Sequence, residues 1–394
     1  MKKLLFDILK SQLNSQNLEV DKKLLDKDNL SVIYNFAKFH DIASVVGDYL
    51  LQKEVFSTNS NTQLEEVIGK FRYQQMLSVL RYERTKHIYE KACACLENAK
   101  VPFIPLKGAI IRELYPRPEM RTSCDIDILV REKDFDRAVK ALSPIAKPVG
   151  KQQNYDVHLE TEGGEQIELH YQLISEVKQK NSFVNYVWST ARKKDGYDYF
   201  FEMTKECFMA YFIFHMAKHF KSGGCGIRIL MDLWLLCNKT SFDEKALFVI
   251  FDNFKFAYKY NLTEFYKKSK LLSFVWFDGE KHTFLTQQME EYILRGGVYG
   301  TLEQLIAVQQ MQRKNKLTFI FSRLFVPYKE LAIYYPVIKK FCLLYPLFIV
   351  IRWFKLFRKK SRNIAKEKLK ISHSLTDEQK EKLVFMYEQL GLQS

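Results

Sequence analysis

The chain has 394 residues, of which 47% are hydrophobic and 14% aromatic, with only 15 Gly and 9 Pro. This composition excludes a disordered or fibrous protein, and domains of roughly 100 to 200 residues put two or three packed units in a chain of this length. Lys and Arg number 61 against 46 Asp and Glu, and the formal charge of +15 attracts polyanions: nucleic acid, nucleotide phosphates or acidic lipid.

Apolar residues recur at helical spacing over residues 1–52, and a second long helical pattern over residues 61–99 runs through Phe71, Leu77, Leu80, Ile88 and Cys95. The opening MKKLLFDILKSQ has too few apolar residues for a secretory segment, and the seven cysteines form no CxxC pair. Both point to a cytoplasmic protein with reduced thiols. The period then changes: residues 101–106 form a short apolar run ending in Lys107-Gly108, residues 109–115 are helical, and Pro116 and Pro118 break the pattern. Residues 124–130 (CDIDILV) alternate, placing Asp125 and Asp127 on one face of a half-buried strand and Ile126 and Ile128 on the other. Residues 134–142 return to a helical pattern. Residues 157–160 and 166–171, joined across Glu162-Gly163-Gly164, read as a hairpin. Residues 205–220, 227–237, 243–260 and much of the remainder are helical again. The fold expected is α+β: a small mixed α/β core over residues 101–200, between a helical region over 1–100 and a longer one over 201–394.

The chemistry concentrates in the strands. Alternate residues on a strand lie about 7 Å apart on one face, so Asp125 and Asp127 can both hold hard cations; Mg²⁺ uses oxygen ligands, commonly one or two carboxylates plus substrate phosphates. The same DxD is also what a solvated strand face looks like. Glu168 alternates with Ile167 and Leu169, so it and His170 point together from a neighbouring strand, either as the wet face of a hairpin or as the third acid that nucleotidyl transfer needs. Two metals about 4 Å apart then clamp the attacking and leaving oxygens. Lys107-Gly108 closes a strand and opens a helix, a place where free backbone N–H groups favour a phosphate, though plain turn chemistry also puts Gly there. Arg121 could fork onto a phosphate or pair with Asp125 or Asp127.

The run Leu106-Lys107-Gly108, the segment Tyr115-Pro116-x-Pro118-x-x-Arg121-x-x-x-Asp125-Ile126-Asp127-Ile128-Leu129-Val130, His158, and Ile167-Glu168-Leu169-His170 resemble the uncharacterised bacterial nucleotidyltransferase family of the DNA polymerase β-like superfamily. The resemblance continues through His215-x-x-x-His219, Arg228-x-x-x-Asp232-Leu233 and Tyr335-Pro336, and so covers roughly residues 85–360. It implies Mg²⁺-dependent transfer of a nucleoside monophosphate from an NTP to the hydroxyl of an unnamed acceptor. Asp125, Asp127 and Glu168 are then the catalytic, metal-holding acids around two ions, and Lys107, Gly108, Arg121 and His170 meet the nucleotide. Where the superfamily usually has Gly-Gly or Gly-Ser, this chain has Lys107-Gly108.

His215 and His219 share a helix face, which suits either packing at the border of a cleft or contact with a nucleotide or metal. Arg228 and Asp232, also four apart, predict an ion pair within one helix. Residues 341–351 carry no charge and are followed by Arg352, Trp353, Lys355, Arg358, Lys359, Lys360 and Arg362. That run falls short of the about 20 apolar residues of a membrane span. It suits peripheral contact with an anionic membrane or nucleic acid, or a core-facing helix with a solvated end. The rival to an enzyme is a degenerate transferase fold that docks onto nucleic acid, a membrane surface or a protein partner. Convergence of the acids separates the two readings, because a two-metal site cannot form if Glu168 stands more than about 8 Å from the Asp pair.

Overall fold

The computed structural model describes residues 2–15, 25–52, 62–122, 125–149, 156–173, 183–254, 260–298, 300–311, 325–328, 331–332, 335, 337–356, 370–371 and 374–392. The N-terminal part is helical: α1 (Lys2–Asn14), α2 (Lys27–Phe39), α3 (Ala43–Gln52) and the 37-residue α4 (Thr62–Asn98). Asp26 starts α2 by accepting a hydrogen bond from the Asn29 amide at 2.8 Å, which satisfies a donor that the first helical turn leaves open. At 1.5 Å per residue α4 is about 55 Å long, enough to serve two cores. Val67 and Phe71 near its start pack with the helices, while Ala92, Cys93 and Leu96 near its end pack under the sheet.

Lys100, with φ of 55°, ends α4 and turns the chain into β1 (Phe103–Pro105). There follow α5 (Lys107–Ile111), β2 (Asp125–Val130), α6 (Phe135–Leu142), β3 (Lys147–Pro148), β4 (Asp156–Glu160) and β5 (Gln166–His170). The sheet order is β1-β2-β5-β4-β3, with β2 and β5 parallel and the other neighbours antiparallel. Gly164 closes the β4–β5 hairpin at φ of 87°, a left-handed conformation that a side chain would strain. Beyond it come α7 (Phe183–Thr190) and a small ribbon of β6 (Arg192–Lys193) and β7 (Phe201–Glu202), which lies beside β1 through the Phe103–Phe200 bridge.

Alternation decides what each sheet face does. Ile126, Ile128, Val157, Leu159, Ile167 and Leu169 are buried in one apolar cluster with Leu96 of α4 and with Phe135, Ala138 and Leu142 of α6. The residues between them, Asp125, Asp127, Asp156, His158, Glu168 and His170, form the opposite, polar face. Over that face lies α8 (Lys205–Lys221), followed by α9 (Ile227–Lys239) and α10 (Glu244–Asn253). A second core joins α8 to α10 with α1 to α3 and with the later helices Leu262–Phe277 and Asp377–Gln389. Phe6 of α1 packs on Trp276 with ring centroids 4.6 Å apart, and Leu4 and Leu392 belong to the same cluster, so residues from both ends of the chain share this core.

The expected helix over 109–115 begins at Lys107 and tightens into a 3-10 turn at Arg112–Leu114. The apolar run over 341–351 becomes a 3-10 turn, Cys342–Leu344, and the helix Tyr345–Leu356. Pro346 sits in its first turn, where its missing N–H loses no hydrogen bond. Cys124, Pro336 and the basic residues Arg358, Lys359, Lys360 and Arg362 lie outside the described residues. Among the described residues no helix is long and apolar enough to cross a membrane. Leu169 is fully buried where β5 is flanked by both neighbouring strands; Leu169→Ala is expected to cost about 2–5 kcal/mol, seen as a lower urea midpoint at unchanged slope.

Candidate active site

The parallel ladder pairs Asp125 with Gln166 and Asp127 with Glu168, so the second acid of β2 stands beside the acid of β5. His170, two residues further along β5, places Nε2 3.0 Å from Asp127 Oδ1 and 3.5 Å from Glu168 Oε2. His158 of β4 approaches the other Glu168 oxygen at 3.4 Å. One ligand atom each from Asp127, Glu168 and His170 fall within 4.8 Å of one another. Asp127 and Glu168 therefore converge well inside the separation that a two-metal site allows. Asp125 shares the strand face but sits at its exposed end, and the compact trio does not include it.

Lys107 enters the site from the start of α5. The Leu106 amide donates to the Asp127 carbonyl at 2.9 Å and so ties the first turn of α5 to the acid strand. Lys107 Nζ then lies 3.8 Å from Asp127 Oδ2 and 2.8 Å from His215 Nε2 on α8. His219, one turn further, places its Nε2 3.0 Å from His215 Nε2. The two histidines thus border the polar face of the sheet through Lys107. Gly108 is buried within α5, and its carbonyl accepts from Arg112 Nε at 3.1 Å.

Charge in this pocket is strongly biased. Burial disfavours an ionised Asp127, yet Lys107 and the hydrogen-bonded His170 outweigh it and hold the carboxyl down at about 2. Burial also opposes charge on His170, but its hydrogen bonds to Asp127 and Glu168 raise it to about 9. Burial, followed by the nearby Glu168 and Asp127 charges, pushes the Asp125 carboxyl above its ordinary range. On the α8 side burial and Lys107 depress His215 well below its usual value and His219 to about 4, and burial lowers Lys107 itself.

Residues 26–258 match the sequence profile of a family described as uncharacterised nucleotidyltransferase, over more than half of the chain. The chain belongs to that family. No curated protein and no solved structure matches it. The matched segment of this nucleotidyltransferase contains the whole sheet, Lys107 and both histidines of α8, so the acids and the basic groups facing them lie within one family unit.

Two further contacts set the acid strand, and each differs from the spacing-based expectation. The buried guanidinium of Arg121 forks onto Asp232 of α9, with both N–O distances at 2.9 Å, and Tyr115 donates to the same carboxylate at 2.7 Å. That fork is engaged within the fold. Arg228 does not pair with Asp232 inside α9. It reaches Asp41 between α2 and α3, the Thr122 carbonyl at 2.6 Å and Thr122 Oγ1 at 3.0 Å. A buried guanidinium needs a full counter-charge, and a bidentate buried pair outweighs the few tenths of a kcal/mol, about 0.2–0.5, of an i,i+4 pair. No local signal in the sequence joins Asp41 to Thr122.

Asp232→Ala strands Arg121 and is expected to destabilise this nucleotidyltransferase by about 3–5 kcal/mol, measured by urea unfolding, with part of the loss recovered in Asp232→Leu/Arg121→Met. The folded pKa of His170 lies above the ordinary 6.5 of a histidine, so its stabilisation is complete below pH 6.5 and fades as the pH rises through about 9. That of Asp127 is depressed, so its contribution is present above the ordinary 3.8 of an aspartate and is lost as the pH falls through about 2. Proton-resolved titration of the metal-free protein should show His170 charged at pH 7.5 and Asp127→Asn lowering its pKa; an unshifted His170 would refute the arrangement.

Proposed function

We propose that this nucleotidyltransferase moves a nucleoside monophosphate from an NTP to a hydroxyl acceptor, in a Mg²⁺-dependent reaction at Asp125, Asp127 and Glu168. The observation that carries this reading is the register of β2 and β5, which brings Asp127 and Glu168 together on one sheet face with ligand atoms within 4.8 Å. The donor set fits a hard cation: two carboxylates face each other, and positive groups, His170 and Lys107, already offset their charge. Asp127 and Glu168 would hold the ions together with Asp125, the next acid along the same strand face. Mg²⁺ there supplies charge neutralisation and polarisation of the phosphoryl oxygens.

The acceptor oxygen bonds to the α-phosphorus while the bond to the β-phosphate breaks and pyrophosphate leaves; the hydroxyl proton passes to Glu168. His170, hydrogen-bonded to Asp127, orients both acids. Lys107 adds positive charge beside Asp127 for the triphosphate, and the backbone at Gly108 opens the helix next to it.

Titration of each NTP with Mg²⁺ at moderate salt should give saturable binding that Asp125→Asn/Asp127→Asn abolishes. Glu168→Gln should keep folding and slow pyrophosphate release by about 10²–10⁴-fold. Release of phosphate instead of pyrophosphate would make the reaction a phosphotransfer, and nucleotide binding indifferent to the double substitution would remove the acids from the site.

A further inference from the structure

β1 leaves the sheet at Pro105, which pairs with Ile128, and the chain turns into α5. The Asp125 end of β2 therefore has no β1 partner, and a notch opens along that edge. It forms a cavity of about 500 Å³ between α4, α5 with its 3-10 turn, and β7. This is within the size range of small-molecule sites, roughly 300–1,000 Å³. Asp125 is the one acid of the catalytic group that lines it, and Lys107, His215, Lys218, His219 and Arg228 do not.

The walls of the notch are aromatic: Tyr82 and Tyr89 of α4 face Phe200 and Phe201. Its charges show no basic surplus, with Lys86, Arg112 and Lys194 set against Glu90, Glu113, Glu202 and Asp125. The cations lie against rings: Lys86 and Arg112 over Tyr82 at 5.9 and 5.5 Å, and Lys194 over Phe200 at 4.5 Å. A polyanion is held by a surplus of Lys and Arg that neutralises its phosphates, and the notch has none. Basic groups meet the acids elsewhere, where Lys107 Nζ lies 3.8 Å from Asp127 Oδ2 and 2.8 Å from His215 Nε2, and Arg228 contacts the Thr122 carbonyl ahead of β2.

In-line displacement sets the attacking and leaving oxygens on opposite sides of the phosphorus. Lys107, between Asp127 and α8, marks the side for the leaving pyrophosphate, so the hydroxyl enters past Asp125. We infer that the notch is the acceptor site of the transfer reaction proposed above, and that it takes a small uncharged hydroxyl compound carrying a flat or apolar ring, in preference to the end of a nucleic acid. The ring rests among Tyr82, Tyr89, Phe200 and Phe201. The hydroxyl oxygen forms its bond to the α-phosphorus as pyrophosphate departs, and its proton goes to a carboxylate of the acid group.

Ala109 lines the notch from α5, so Ala109→Phe fills it, whereas Tyr82→Ala, at a half-exposed position, removes a wall without filling it. Ligand-observed NMR with phenyl β-D-glucoside as probe, anisotropy with a labelled oligouridylate, and calorimetry with Mg²⁺-NTP would be run on the wild type and both variants. The expected result is saturable glucoside binding to the wild type, weakened by at least about tenfold, or 1.4 kcal/mol, in Ala109→Phe. Tyr82→Ala should weaken it as well, and oligouridylate and NTP affinities should change by less than about twofold. A glucoside that fails to bind the wild type, or that binds both variants as tightly, overturns the inference. So does NTP affinity falling in parallel, which would put the donor's nucleoside in the notch, or oligouridylate being the probe displaced. Lack of NTP binding by the wild type would defeat the transfer reading itself, while the glucoside arm would still report on the notch.

Discussion

Parallel pairing of β2 with β5 is the constraint on which the rest of the site depends. It sets Asp127 beside Glu168, and it holds because Ile126, Ile128, Ile167 and Leu169 fill the opposite face. A strand's side chains alternate strictly, so a slip of one residue would drive the acids into the apolar core and the isoleucines into the polar cleft. Hydrophobic burial thereby fixes the position of charges that would otherwise repel each other. The repulsion that remains is offset locally by His170 between the two carboxylates and by Lys107 beside Asp127.

Support from outside the sheet acts on the segment that leads into β2. Arg121 is anchored to Asp232, which also accepts from Tyr115, and the next residue, Thr122, is held by Arg228 and Asp41. These contacts tie the acid strand to α9 and to the turn between α2 and α3. The helical regions before and after the sheet share one core, so α1 to α3 help position the site. The long α4 extends that linkage to the far face of the sheet.

The net charge of +15 is distributed in a way that its sum does not reveal. Lys107 stands between Asp127 and His215 of α8, whereas the aromatic notch at the end of β2 carries four acidic side chains against three basic ones. A global excess of Lys and Arg describes attraction to polyanions in general. Selectivity at a given cleft depends on the charges that line it, and these differ on the two sides of Asp125.

Local periodicity was legible from the chain alone. Asp125, Asp127, Glu168 and His170 share a face because strand side chains alternate, and His215 and His219 share one because helical positions four apart align; both follow from backbone geometry over a few residues. The sheet-and-helix class followed in the same way from the change of period near residue 101. Tertiary structure alone decided that Arg121 would meet Asp232, that Arg228 would reach Asp41, that Lys107 would contact His215, and that Asp125 would stand apart from the compact trio and line a notch. Those choices join groups separated by as many as 187 positions. They are governed by which buried charge most needs a partner once water is excluded, a quantity that sequence spacing does not contain.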